Sequence, residues 1–578
     1  MRGPRQTCDS TDAPRHEKGL QQENVNNMVS LKINKQLLLA EIAIPQSSPD
    51  LLHQIAMMGV EVDDETADEL VVDITPNRPD LLSQAGFTRS LAAFLGKKPG
   101  LRAYTTTPSK LKVTVDESVR GIRPFTACAV IRNLKLDDER LKEIIDIQEK
   151  LHTTFCRRRK KAAIGIYPME AISGNITYLA LEPSKIKFRP LEAGAEMTAQ
   201  QILEEHPKGK EFAHLVQGLP KYALFMDGKK KVLSMPPLIN SHDTGKITTA
   251  TTEAFLECSG FDFRTCSEVI QIICAALADM GASIHTVEVV YSKKTEVTPD
   301  MTPKRQEFYG YYVNRRLGTK LKKEEFAPLL AKMGLGFEEG RIKETYYALL
   351  PAYRVDFLHQ IDVVEDIAIA LGYDKITPEL PHVATTAAET PTSKFDAILR
   401  KVLVGQGLLE AKNYHLTNGA FQLAVDGDEM VTLRSSVSEE YNVLRSSLLS
   451  VSLQMLARNK LHEYPQSFFE IGTVFTPAPE HVEETNHLAI AIAGGDKDYT
   501  NARQACDGLL SALGLVGRYE EHSDRRFLPG RCARVVVDGA AVGVLGELSP
   551  RVITHAGLVV PVAYAELDVN VLRLIRLG

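Results

Sequence analysis

The stretch YRVDFLHQIDVVEDIAIALGYDKI, residues 353–376, decides how the centre of this chain folds. Its apolar residues recur every three or four positions up to Gly372, and this pattern predicts a helix that ends at the glycine. Asp362, Glu365 and Asp366 stand at positions i, i+3 and i+4 and are therefore predicted to share one helix face. The opposite face is predicted to carry the apolar residues Ile361, Val364, Ala368 and Leu371.

The carboxylates on this helix allow two interpretations, a solvated acidic face or a ligand set. Like charges at this spacing repel one another, and the positive end of the helix dipole offsets part of that cost near the N-terminus. Oxygen-only ligands suit a hard cation such as Mg²⁺, or the basic residues of a partner. The spacing alone leaves both interpretations open for the four carboxylates Asp356, Asp362, Glu365 and Asp366.

Residues on both sides of this helix predict the fold of the C-terminal half. Residues 302–378 read as strand, helix, strand, strand and helix, which is typical of a compact α+β unit. Residues 443–475 predict a helix and then an apolar strand, and residues 527–550 predict a hairpin with glycine at its turns. Such elements can frame an ATP and amino-acid site, but no strand-borne arginine follows FFEIGTVF and no late GxGxxR-like arginine is present. We therefore expect a fold of catalytic origin that is not itself catalytic.

The motif TPNRPDLLS, residues 75–83, lies in an N-terminal α/β pattern. Its prolines bracket Asn77 and Arg78, and Asp80 precedes an apolar helical run for which it is the predicted N-cap. A rigid strand-to-helix turn is the simpler interpretation, and a binding role is the alternative.

A second polar motif, MPPLINSHDTGKITTATTE, occupies residues 235–253. Two prolines end an apolar strand, and short polar side chains then crowd around Gly245. Such groups can bind a polar ligand, or an ester and its attacking water, with a lysine available for phosphate. The alternative is a turn that satisfies its own backbone. The candidate residues are Asn240, Ser241, Asp243, Thr244 and Lys246.

Composition and charge limit the classes of protein to which the chain can belong. Its 578 residues exceed what one hydrophobic core usually organises, so several domains are expected. With 68 Lys and Arg against 74 Asp and Glu, the net charge of -6 excludes a polycation that coats nucleic acid. No apolar run approaches the roughly twenty residues of a membrane span. Eight scattered cysteines without a CxxC pair favour free thiols in a reducing cytoplasm.

Nine segments, in order from about Met28 to the C-terminus, resemble one known family, the phenylalanyl-tRNA synthetase beta subunits in their short archaeal/eukaryotic form. Each segment alone is weak evidence for the resemblance, but nine segments in the expected order are highly specific. The segments are TPNRPDLLS, QEKLHTTFCRRRKKAAIG, EEHPKGKEFAHL, PPLINSHDTGKIT, YRVDFLHQIDVVEDIAIALGYDKI, VLRSSLL, FFEIGTVF, PGRCARV and GVLGELSP.

The resemblance implies a cytoplasmic ligase subunit that works in an α2β2 tetramer. In this family the alpha subunit carries the class II site, where L-phenylalanine reacts with ATP and is transferred to tRNA-Phe. The beta subunit contributes an inactive class II-like module and edits mischarged tyrosyl-tRNA. Mg²⁺ shared with the alpha subunit is implied at Asp356, Asp362, Glu365 and Asp366. Editing is implied in the segment that holds Asn240, Ser241, Asp243, Thr244 and Lys246.

Editing makes physical sense because tyrosine adds only a hydroxyl, which a mainly apolar pocket rejects modestly. This chain departs from the family in that segment IGIYPMEAI has Tyr167 and Pro168 where relatives usually have His and Asp, which leaves the activity of the editing site open. Basic residues 157–161 are predicted to help bind tRNA, with a solvated helix end as the alternative. Two rival functions stay open, a non-catalytic tRNA-binding or scaffolding paralogue and a freestanding editing hydrolase.

The predicted organisation is multidomain α+β. We expect a disordered tail at residues 1–27, with Met28 a candidate initiator, and an N-terminal α/β module at 28–110. A B3/B4-type tRNA-editing domain is expected at 111–298 and a small B5-type α+β domain at 299–380. An inactive class II synthetase-like antiparallel-sheet domain is expected at 386–578.

Overall fold

The computed structural model describes residues 29–43, 50–427 and 429–577. The chain divides into two compact units, a first unit that ends at Leu380 and a second unit that begins at Pro381. The predicted tail at 1–27 and the candidate initiator Met28 lie outside the described residues. No helix in the described ranges is long and apolar enough to cross a membrane. The seven cysteines within these ranges are buried free thiols, as their scattered spacing predicted.

The first unit begins with a small antiparallel sheet covered by helices. Its strands lie in the order Val29–Asn34, Glu69–Ile74 and Glu61–Glu65, and alternate residues of the central strand are buried. The helices are Lys35–Ile42, Leu51–Met57 and Gln84–Phe94. The predicted N-cap of the last helix was wrong, because the Ser83 side chain accepts the Gly86 N–H at 3.0 Å. Asp80 instead lies buried in the turn before it, where it pairs with Arg78 at 2.9 Å.

A large mixed sheet forms the middle of the first unit. Its strands lie in the order Ile239–Asn240, Val232–Met235, Tyr222–Met226, Ile176–Leu181, Thr106–Val115, Ser283–Val290, Phe125–Arg132, Ala254–Gly260 and Ala162–Pro168, and Thr295–Thr298 also pairs with Ser283–Val290. A separate ribbon joins Lys187–Phe188 to Met197–Thr198. The helices are Asp138–Thr153, Ala199–Glu205, Pro207–Phe212, His242–Gly245 and Phe263–Asp279.

The first unit ends in the small α+β arrangement that the sequence predicted. Strands lie in the order Lys304–Tyr309, Thr345–Leu350 and Gly336–Glu339, and the helices are Gly310–Leu317, Lys323–Lys332 and Gln360–Leu371. The first of these helices was not predicted. The last helix stops at Gly372, whose φ of +96° favours glycine. Its apolar face is rotated from the prediction, because Ile361 is 40% exposed whereas Val363 and Ile367 are fully buried.

The second unit is built on one long, mainly antiparallel sheet. Its strands lie in the order Leu409–Glu410, Gln466–Pro477, Val482–Ala493, Val562–Asp568, Ala540–Leu548, Phe527–Val537 and Gly517–Glu521. Leu416–Thr417 pairs separately with Val443–Leu444. The helices are Pro391–Gly405, Gly419–Val425, Leu449–Arg458, Tyr499–Ala512, Pro550–His555 and Val569–Leu577. The predicted helix-strand pair and the predicted hairpin are both confirmed.

Candidate functional site

The five residues predicted for editing lie at the end of the large sheet, but they have different environments. Ser241 and Thr244 are buried, and both secure the local backbone. The Ser241 N–H donates to the Leu233 carbonyl at 2.7 Å, and the Thr244 hydroxyl donates to the Val232 carbonyl at 2.9 Å. These contacts hold the short helix His242–Gly245 against the preceding strand. The self-satisfied turn is therefore the better description of these two residues.

The remaining three candidates have at least one side open. Asp243 and Lys246 are exposed, and the nearest Asp243 oxygen lies 3.9 Å from an Arg189 nitrogen. Asn240 is half-buried and lines a cavity of about 160 Å³. Of the five predicted residues, Asn240 alone lines this cavity.

The buried polar side chains of Ser234 and Glu257, which lie outside the predicted site residues, also line this cavity. The hydroxyl of buried Tyr167 lies 2.7 Å from Ser234 Oγ and 2.9 Å from Glu257 Oε1. Gly165 makes room for this group, because a Cβ at that position would overlap the Tyr167 hydroxyl. Three strands that are remote in sequence thus bring a phenol, a hydroxyl and a carboxyl together.

Glu257 has the chemistry expected of a binding group. Burial raises the pKa of its carboxyl to about 8, although the hydrogen bond from Tyr167 acts in the opposite direction. The carboxyl is therefore mostly neutral at pH 7. Its Oε2 atom is buried and has no hydrogen-bond partner within the described ranges.

Arg159, in the basic segment at residues 157–161, forms part of the wall of this cavity. Arg159 donates to the Leu238 carbonyl at 3.0 Å and to Glu149 Oε1 at 2.9 Å. Burial raises the pKa of Glu149, but His152 and Arg159 outweigh it and bring that pKa to about 2. Burial lowers the pKa of His152 to about 4, and its Nε2 accepts the Ile164 N–H at 2.8 Å. Arg159 is thus a structural residue rather than a free cation for tRNA.

The four carboxylates predicted to bind Mg²⁺ are distributed around Arg354 and the start of the helix Gln360–Leu371. The Arg354 guanidinium pairs with Asp356 at 2.8 Å and with Asp366 at 2.9 Å; Arg354 and Asp366 are buried, and Asp356 is half-buried. Asp362 accepts the N–H groups of residues 358 and 359 at 2.7 and 2.8 Å, which makes it part of the helix cap. Glu365 is exposed and has no polar partner among the described residues.

The two carboxylates that pair with Arg354 differ in the direction of their pKa shifts. Burial raises the pKa of Asp356, but Arg354 outweighs this effect and the pKa falls below its usual value. Burial dominates at Asp366, whose pKa rises despite the same arginine. We take Asp356 as the main anionic partner of Arg354.

The fit of these residues to a cation is mixed. Carboxylate oxygens are the right donors for Mg²⁺. However, Arg354 already neutralises two of the four, and the described ranges contain no group of three or more His, Cys, Asp or Glu side chains arranged to hold a metal ion. Glu365 and the second oxygen of Asp362 are the donors that this chain leaves open to a site completed by another molecule.

The core of the second unit contains polar groups that are paired with one another. Arg445 and Glu470 are both fully buried, and their side chains meet at 2.7 Å. A separate cluster joins Glu566 to His487 at 2.7 Å and to the Tyr564 hydroxyl at 2.7 Å. Burial lowers the pKa of His487, but the contact with Glu566 outweighs it and raises the pKa above its usual value.

Comparison with known proteins defines first the class and then the family. Residues 308–373 match the tRNA synthetase B5 domain, and residues 376–569 match the phenylalanyl tRNA synthetase beta chain CLM domain, so the chain is related to aminoacyl-tRNA synthetases. Similar proteins include the phenylalanine–tRNA ligase beta subunit of Pyrococcus abyssi, 38% identical over 85% of this chain and 89% of that one. The beta subunit of Archaeoglobus fulgidus is 35% identical over 90% of this chain and 94% of that one.

A solved structure supports the same conclusion. The crystal structure of an N-terminal fragment of the Pyrococcus horikoshii phenylalanyl-tRNA synthetase beta subunit has a TM-score of 0.57 and 35% identity to this chain. The matched region covers 59% of this chain and 99% of the fragment. The chain therefore belongs to the family of phenylalanine–tRNA ligase beta subunits, and as such it is a ligase subunit. This confirms the family that the nine sequence segments predicted.

Proposed function

We propose that this chain is the beta subunit of an α2β2 phenylalanine–tRNA ligase. The complex activates L-phenylalanine with ATP and attaches it to tRNA-Phe in the cytoplasm. The aminoacylation site belongs to the alpha subunit, and the second unit of this chain is an inactive class II-like domain that supports assembly. The observation that carries this proposal is family membership that extends over 85–90% of the chain.

Co-expression with a matching alpha subunit tests this proposal. We expect an α2β2 complex by light scattering, and phenylalanylation of tRNA-Phe by the complex but by neither subunit alone. A chain that stays unassociated, with no gain of activity in the mixture, would instead support the scaffolding paralogue. Tyrosyl-tRNA hydrolysis by the unassociated chain would support the freestanding hydrolase.

We further propose that residues 111–298 form the editing domain and that its binding cavity is the one lined by Asn240, Ser234 and Glu257. Glu257 already accepts one phenol, that of Tyr167, through Oε1. A second phenol, that of a misattached tyrosine, would bind at the unpaired Oε2. A site that hydrogen-bonds the hydroxyl discriminates strongly against phenylalanine, which lacks it. Editing therefore depends on a carboxyl outside the predicted polar motif.

Mg²⁺ binding at the acidic helix is a separate part of the proposal. Asp362 and Glu365 would contact the ion, and the alpha subunit would supply the other ligands. Asp356 and Asp366 would act through Arg354, by fixing the start of the helix. When bound, Mg²⁺ would neutralise acidic groups where the subunits meet.

Replacing Glu365 by glutamine is expected to at least halve the thermal stabilisation of the α2β2 complex by Mg²⁺, because one open donor is removed. Binding to the folded state stabilises it in proportion to the logarithm of ligand concentration over Kd. The measurement is the unfolding midpoint against MgCl₂ concentration, without ATP. Glu324→Gln, an exposed carboxylate on another helix of the same domain, is the matched control. Equal Mg²⁺ responses of both variants and the wild type would exclude Glu365 as a ligand.

A further inference from the structure

A second cavity, of about 420 Å³, lies within the first unit and has no place in the proposed function. Its walls come from the helices Lys35–Ile42, Gln84–Phe94 and Asp138–Thr153, the segment 98–102 and the residues around Tyr353. Apolar side chains, including Leu37, Leu101 and Met280, form part of the lining. The volume and the mixed lining are those of a small-molecule site.

Several charges in this wall are neutralised by partners of opposite sign. Asp279 pairs with Arg89 and with Arg102, the latter at 3.0 Å. Arg78 pairs with Asp80 at 2.9 Å, and Arg354 pairs with the two aspartates described above. These groups hold the walls together and are not free to bind a charged ligand.

Four other charged residues that line the cavity have no ion-pair partner within the described ranges, two acids and two bases, of which Glu143 and Arg140 are half-buried and Glu41 and Lys98 are exposed. Glu143 accepts only the Ala85 N–H, at 2.8 Å. Arg140 donates only to main-chain carbonyls, at 3.2 and 3.4 Å. The other two are Glu41 and Lys98, which line the same cavity. The unpaired charges are thus balanced, with both signs present at one site.

Unsatisfied polar atoms in the wall are an independent sign of a missing partner. The Thr88 hydroxyl and the Arg89 Nε are buried and have no hydrogen-bond partner in the described part of the chain. Both residues are more than nine-tenths buried and belong to the helix that lines the cavity. Buried polar groups are usually satisfied, so their occurrence beside four unpaired charges points to an absent ligand.

We propose that this cavity binds a free amino acid with an apolar side chain. The ammonium group lies at Glu143 and Glu41, the carboxylate at Arg140 and Lys98, and the side chain against the apolar part of the wall. A zwitterion matches two unpaired acids and two unpaired bases, whereas a simple anion would leave both glutamates without a partner. The proposal is independent of the ligase function, because it concerns this chain alone.

The electrostatic environment of the glutamates agrees with a cationic ligand group. Burial, together with the neighbouring Glu41, raises the pKa of Glu143 to about 7, against the hydrogen bond from Ala85 and the charges of Arg140 and Lys150. Burial also raises the pKa of Glu41, against Arg140 and Lys98. An ammonium group between the two carboxylates would remove this repulsion.

Calorimetric titration of the full chain tests the proposal, with L-phenylalanine as the probe. We expect one site per chain and at least tenfold weaker binding to the Glu143→Gln variant. Arg140→Gln is a second variant, which should weaken binding through the carboxylate. Asp146→Asn, an exposed acid on the same helix that does not line the cavity, should bind as the wild type does.

Analogues with one charge removed separate zwitterion binding from its alternatives. N-acetyl-L-phenylalanine and L-phenylalaninamide should each bind at least tenfold more weakly than L-phenylalanine. Equal binding of either analogue, or tighter binding of inorganic phosphate, would overturn the proposal. So would the absence of binding, or binding that is lost in Glu257→Gln but kept in Glu143→Gln, because it would place the ligand in the other cavity.

Discussion

Replacing Arg445 by alanine is expected to lower the free energy of unfolding of the second unit by about 3–5 kcal/mol. The arginine and Glu470 are both fully buried, and the pair is joined at 2.7 Å. Arg445 Nε also donates to the Thr473 carbonyl at 2.8 Å. Without the arginine, the Glu470 carboxylate keeps, among the described residues, only Asn413, whose backbone N–H and Nδ2 donate to it at 3.2 and 2.7 Å. A buried charge without a counter-ion is among the most destabilising changes that a core can receive.

Urea unfolding of the full chain, followed by circular dichroism, measures this loss. The matched control is Arg400→Ala, because Arg400 and Glu410 also meet at 2.7 Å but are 40% and 37% exposed. That variant should lose no more than about 1 kcal/mol. The double variant Arg445→Met with Glu470→Leu should recover much of the stability, since neither charge then remains buried. A loss below about 1 kcal/mol for Arg445→Ala would show that water reaches Glu470.

The sequence predicted where the acidic helix ends, but it did not predict which of the carboxylates form ion pairs. Periodicity and Gly372 gave its end correctly, because both signals act over a few residues. The orientation of the helix depends on packing against the small sheet, and this buried Val363 in place of Ile361. Arg354 comes before the helix, so the spacing within the helix could not reveal its two ion pairs.

The candidate editing cavity could not be predicted for the same reason, because its residues are far apart in the sequence. The polar motif after Pro237 was recognisable because its residues are adjacent, yet of its five predicted site residues only Asn240 lines the cavity. Tyr167 is 67 residues from Ser234 and 90 from Glu257. Tyr167 and Glu257 lie on paired strands, but Ser234 lies on a strand near the other end of the sheet order, so tertiary packing brings it to them. The sequence did contain one local signal for Glu257. A glutamate inside the apolar strand AFLECSG is expected to be a buried carboxyl. The sequence also showed that Tyr167 departs from the family pattern, but it did not show which residues contact Tyr167.

Replacing Glu257 by alanine is expected to slow tyrosyl-tRNA hydrolysis by the α2β2 complex by at least about 100-fold. The reason is that the carboxyl is the group proposed to bind the tyrosine hydroxyl. Phenylalanylation should change less than twofold, because it takes place in the alpha subunit. The measurement is deacylation of preformed tyrosyl-tRNA with the spontaneous rate subtracted, beside aminoacylation by the same preparation. Glu288→Ala, an exposed carboxylate on the same sheet, is the control and should keep both activities.

Tyr167→Phe distinguishes a specific role of the carboxyl from general damage to the fold. This variant keeps the aromatic ring and removes the hydroxyl that engages Glu257 Oε1. It should free that oxygen for the substrate, so tyrosyl-tRNA hydrolysis should be retained or increased. If the Glu257→Ala complex still hydrolyses tyrosyl-tRNA at the wild-type rate, the carboxyl does not recognise the substrate. If Tyr167→Phe abolishes hydrolysis while phenylalanylation is unchanged, the phenol is needed to position Glu257, and a free Oε1 is no advantage.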